Sequence, residues 1–134
     1  MSETSMDLQG LDTLRARIAA AVPVAEQEAT AELYAFAEEV MTASKEVVPV
    51  DTGALMNTGH VQAPVRDGDT MMVTLGYGDE AVGYAIYVHE NLDPNVHWTR
   101  PGSGPKYLEN PLKERQDSLP GRILAAYRRG LTQR

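Results

Sequence analysis

The chain contains no cysteine. Disulfide cross-links and thiolate metal sites are excluded, and a reducing compartment is compatible with this composition. Aromatic residues are scarce, with one Phe, one Trp and six Tyr among 134 residues. No apolar run approaches the roughly 20 residues that a membrane-crossing helix needs. The opening residues, MSETSMDLQG, lack the basic and apolar stretches of a secretory leader. The expectation is a protein made in the cytoplasm without a membrane partner. Basic charge is also short. The 12 Lys+Arg against 19 Asp+Glu leave a net charge of −7, which disfavours non-specific nucleic-acid binding. The deficit is uneven. Residues 1–104 carry 5 basic and 16 acidic side chains, net −11, and residues 105–134 carry 7 and 3, net +4. An acidic body with a basic tail suggests head-to-tail contact between identical copies; a solvated basic helix is the plainer reading.

What is present fits one domain with one modest core, at 43% hydrophobic content. Residues 1–10 are expected as a flexible N-terminus, ahead of a single α+β domain over 11–134. Leu11, Leu14, Ile18 and Val22 recur at helical spacing. Pro23 then either kinks one long helix or opens a second at its first turn. From Val24 onward, Ala29, Leu33, Phe36, Val40 and Val47 form one stripe, with Ser44 in the gap, and Glu28, Glu32, Glu39 and Glu46 point elsewhere. This predicts an amphipathic helix of about 24 residues, roughly 36 Å long. Pro49 ends it; Asp51 and Thr52 favour a turn and Gly53 permits positive φ.

The period then changes from 3.6 to 2. Val61, Ala63 and Val65 alternate, as do Met71, Val73 and Leu75, around the hairpin signal RDGD. Pro64 marks the first of these strands as an edge. GYGDEAVG lacks the Lys-Ser/Thr ending of a phosphate loop and reads as a plain connection. Residues 84–90 suit either a third strand or a helical turn. Residues 91–105, with three prolines and two glycines, read as a long loop. From Lys106 the chain is helical again, with Tyr107, Leu108 and Leu112 on one face. Pro120-Gly121 is expected to break or kink the run before Ile123, Leu124 and Tyr127. The fold expected is a long N-terminal and a C-terminal helix packed on a small antiparallel sheet.

Residues 84–114 concentrate chemistry: three tyrosines, the only tryptophan and two of the three histidines. His89, Glu90 and His97 offer metal donors. The two imidazoles are eight residues apart across a proline-containing segment, and no recognised metal spacing results. His89 and Glu90 as a hydrolytic base pair would point to opposite faces of a strand. Ser103 and Thr99 lack a nucleophile elbow. Trp98, Tyr107 and Lys106 could stack on single-stranded nucleic acid, but no binding signature accompanies them. Docking is better supported, because Tyr and Trp bury large area at low rotamer cost. The interface candidates are Tyr84, Tyr87, His89, Glu90, Trp98, Arg100, Lys106 and Tyr107. Pro49, Asp51, Thr52 and Gly53 are candidates for a structural turn. No catalytic residue, metal ligand or cofactor is expected.

Three stretches in order, Pro49 to Leu55 (PVDTGAL), Tyr84 to Glu90 (YAIYVHE) and Lys106 to Leu112 (KYLENPL), resemble the small minor capsid, neck and tail-completion proteins that join head to tail in long-tailed bacteriophages. The likeness spans roughly residues 24–118. It implies an α+β fold and a non-enzymatic structural role in the virion. It implies a ring of identical copies between portal or head-closure and tail proteins, with DNA passing through the channel without sequence-specific binding. Trp98 and its loop would be ordered on assembly. Two other functions stay open at this point: a small hydrolase or metal-binding module using His89 and Glu90, and a nucleic-acid binder through the basic C-terminal helix.

Overall fold

The computed structural model describes residues 2–48, 58–78, 83–89, 96–99 and 106–132, with side chains except at 2–9, 89 and 96–99. The expected α+β architecture is present. Helix α1 (Ser2–Val47) is followed by strands β1 (His60–Val61), β2 (Val65–Asp67), β3 (Thr70–Gly76), β4 (Gly83–His89) and β5 (Val96–Thr99). Helix α2 (Lys106–Arg115), a 3-10 turn (Gln116–Ser118) and helix α3 (Leu119–Thr132) complete the chain.

Helix α1 runs for 46 residues, about 69 Å at 1.5 Å per residue. It starts at Ser2, where the composition suggested a polar tail, and it continues through Pro23 rather than restarting there. Proline has no N–H for the Ala19 carbonyl, so the helix loses one rung at this point. Beyond it, Leu33, Phe36, Val40 and Ser44 of the expected stripe are buried and Ala29 is partly so, whereas Val47, expected on the same face, is 61% exposed at the end of the helix. Ala25, Ala37 and Met41 are buried beside the stripe.

The strands form an antiparallel meander. β1 and β2 share the same edge of β3, and β4 and β5 follow in order. Val61 lies opposite Leu75, and Val65 lies opposite Met72. Three residues on the edge thus lie opposite two on β3 between these pairs, which is a one-residue bulge carrying Pro64. The bulge reverses the expected alternation. Val61 stays on the core face with Leu75, whereas Val65 is 51% exposed and lies opposite Met72 on the other face. The RDGD signal forms the tight turn it predicts: Asp67 pairs with Thr70, and Gly68 takes φ +63° between them.

Residues 84–89 are strand, pairing Val73 with Ile86 and Leu75 with Tyr84. The long loop expected over 91–105 is interrupted by β5, whose Trp98 lies opposite Ile86 in the ladder. That strand is only four residues long, too few to show a period. The break between the terminal helices falls at Gln116–Ser118, not at Pro120-Gly121. Pro120 sits in the first turn of α3, where a missing N–H costs nothing.

The core lies between α1, α2 and α3 and the inner face of β3 and β4. Leu33, Phe36, Val40, Val73, Leu75, Tyr84, Ile86, Leu108, Leu112 and Ile123 belong to one buried cluster. Helices α1 and α3 run antiparallel, since Arg122 reaches Glu39 and Arg129 reaches Glu28.

Candidate functional site

The structure divides the interface candidates rather than gathering them. Tyr84 is fully buried in the cluster that holds Leu108 and Leu112. It is a core anchor and offers no surface to a partner, contrary to its expected interface role. Tyr87, three residues along the strand, projects to the opposite face and is half-buried opposite Met72. The backbone of His89 ends β4 opposite Thr70. Lys106 is exposed and sits 3.8 Å from Glu109, which Lys113 also approaches at 3.5 Å. Glu90, Arg100, Pro49, Asp51, Thr52 and Gly53 lie outside the described residues.

Tyr107 is half-buried and packs edge-on against Tyr77, with ring centroids 5.3 Å apart at 80°. This is a favoured aromatic geometry. Tyr77 is itself buried, and its hydroxyl shares a 2.8 Å hydrogen bond with the buried Ser44 Oγ. Burial pushes both phenols above their usual range, so both stay neutral. Ser44 is the polar residue that interrupts the apolar stripe of α1. A serine in that position signals a buried partner, although its identity, 33 residues away, is set only by the fold.

The basic C-terminal helix spends its charge inside the chain. Arg122 donates to Glu32 at 2.7 Å and to Glu39 at 2.6 and 3.0 Å, with its guanidinium 5.5 Å from the Phe36 ring centre. Arg129 lies 3.7 Å from Glu28. These bonds close the α1–α3 seam and remove two cations from the patch that the sequence offered to nucleic acid or a neighbour. Hydrogen bonding to Arg122 holds the Glu39 carboxyl below its ordinary value of 4.5. A depressed folded pKa adds stability that is complete above the ordinary value and is lost as pH falls through the folded one. Arg122→Met is expected to cost about 1–2 kcal/mol at neutral pH. Its Tm deficit should narrow as the pH is lowered below 4.5. Thermal melts of both proteins from pH 7 to pH 3 check this, and a deficit constant across the range would contradict the pairing.

Two surface features stand out among the described residues. The first is the N-terminal part of α1. Leu11, Leu14 and Ile18 are 43%, 53% and 52% exposed. They continue, at steps of three and four residues, the same line of the helix that buries Ala25, Leu33 and Phe36 and partly buries Ala29. The cover is α3, which ends at Thr132 just past the contact of Gly130 with Ala25. Arg15 borders the stripe on one side and Arg17 on the other. The second feature is an open groove lined by Glu38, Glu39, Thr42, Ala43, Glu46 and Arg115. The Glu38 carboxylate, by hydrogen bonding and by charge, raises the neighbouring Tyr34 phenol. Val47, 61% exposed, lies one turn beyond Ala43.

Among the described residues no three His, Asp or Glu side chains group as a metal site, and no helix is long and apolar enough to cross a membrane. Comparisons with protein-family models, with curated proteins and with solved structures give no match.

Proposed function

We propose that the chain is a non-enzymatic structural protein of a tailed bacteriophage virion. It forms a ring of identical copies at the head–tail junction and joins the portal or head-closure layer to the tail. The observation that carries this reading is the uncovered apolar stripe of α1. A helix that leaves the body with Leu11, Leu14 and Ile18 half in water presents a surface suited to assembly. Two of the three motifs that resemble head-to-tail joining proteins also form the body of the fold. Tyr84–His89 lies in β4, and Lys106–Leu112 lies in α2, with Tyr84, Leu108 and Leu112 in one core. In this reading the motifs are framework and the variable surfaces make the contacts. The net charge of −7 repels the DNA that passes through the channel, so DNA slides rather than sticks.

Deletion of the gene from a phage that carries it tests the role. Filled heads and finished tails should accumulate unjoined, and supplying the chain in trans should join them. Normal joined particles from the deletion would overturn the proposal.

A further inference from the structure

We infer that the α1 arm of one copy docks in the Glu38–Glu46 groove of the next, so that the ring is closed by arm-to-groove contacts. This deepens the ring reading and rests on it. The arm presents Leu11, Leu14 and Ile18 flanked by Arg15 and Arg17. The groove presents the complement: carboxylates at Glu38 and Glu46, with Glu39 already paired to Arg122 of its own copy, the Arg115 guanidinium at one side, Ala43 in the lining and Val47 beside it. The apolar stripe is also continuous with the face that α1 already buries against its own α3. The residue types that satisfy it within one copy are therefore those of another helix surface.

The occupant has to be a second copy. Arm and groove lie on one helix, and Leu14 and Thr42 are 28 residues apart along α1, about 42 Å at 1.5 Å per residue. An arm cannot reach the groove of its own chain. A contact between two different patches of identical copies is heterologous, and its repetition gives either a closed ring or an open filament. The basic α3 does not compete for the groove, because Arg122 and Arg129 are already held by Glu32, Glu39 and Glu28 of their own copy.

The absence of cysteine from the chain makes the test direct. Full-length Leu14→Cys and Thr42→Cys proteins are purified, oxidised separately and as a mixture, and resolved on non-reducing gels. The mixture should give a mixed disulfide at least about tenfold above either protein alone. A chain carrying both cysteines should give a ladder of dimers, trimers and higher forms, since Cα atoms roughly 40 Å apart cannot bridge within one chain. Arg15→Glu with Arg17→Glu should reduce the ladder about tenfold, and adding Glu38→Arg with Glu46→Arg to that chain should restore it. A mixture of Leu14→Cys with Asp69→Cys, on the distant hairpin, serves as the control and should remain monomeric. Leu14→Cys coupling only to itself would mean that arms pair with arms, and it would overturn the inference. So would a double-cysteine chain that gives no ladder, or a ladder indifferent to charge reversal. These outcomes are separate from the deletion result. A missing ladder with unjoined particles sinks only the arm contact, whereas a ladder with normally joined particles sinks the junction role.

Discussion

Replacing Gly130 by alanine should destabilise the protein, while the same replacement at Gly121, nine residues earlier on the same helix, should stabilise it. Intrinsic propensity favours alanine over glycine by up to about 1 kcal/mol inside a helix. Around Gly121 nothing lies within 4 Å of where a Cβ would stand, so that gain is realised. At Gly130 the added Cβ would run into Ala25 Cα and would meet Ala25 N at 2.8 Å and the Val24 carbonyl oxygen at 2.9 Å. These are backbone atoms of α1, and no rotamer change moves them aside. The α1–α3 seam has to open at this end, and the expected loss is at or above the upper end of the roughly 1–3 kcal/mol usual for overpacking. The corresponding fall in Tm is on the order of 10 °C. Thermal or urea unfolding of the two variants beside the parent gives the answer, and equal shifts of the same sign would show that the helices do not approach as closely as Gly130 permits.

The second large effect is expected at Phe36, the only phenylalanine of the chain. Its ring is fully buried in the main cluster, and the Arg122 guanidinium lies over it. Phe36→Ala should cost about 3–5 kcal/mol, from lost transfer energy and the cavity left behind. Phe36→Leu keeps most of the volume and should cost about 1.5 kcal/mol or less. Part of the Phe36→Ala loss is shared with Arg122. In a double-mutant cycle with Arg122→Met, the two costs should fall short of additivity by about 0.5–1 kcal/mol. Urea unfolding of the four proteins measures this. A loss below 1 kcal/mol for Phe36→Ala would contradict its place in the core.

These two sites also mark the limit of what the sequence makes legible. The stripe of Leu33, Phe36 and Val40 is visible in the spacing, because a helix buries residues at steps of three and four whatever it packs against. What it packs against is not visible. The closeness of α3, the need for glycine at 130 and the reach of Arg122 to Glu32 and Glu39, 90 and 83 residues away, are products of topology. The hairpin at Gly68 is legible because turn chemistry is local. The flip of Val65 to the outer face is not, since a one-residue bulge follows from pairing with β3. Seven residues of β4 could not distinguish strand from helical turn, and β3 and β5 on either side decide it. Among the interface candidates, residue type alone placed Tyr84 with Tyr87, whereas strand alternation separates them into core and surface. The arm stripe of Leu11, Leu14 and Ile18 was legible as one face of a helix. That α3 stops short of it, leaving the face uncovered, was not.

Cryo-electron microscopy of virions that carry this chain tests the central claim most directly. The account predicts a ring of density between portal and tail into which copies of this α+β fold fit, with the long α1 helices recognisable as rods. A junction fully accounted for by other proteins, with this chain absent from the purified particles, would contradict it.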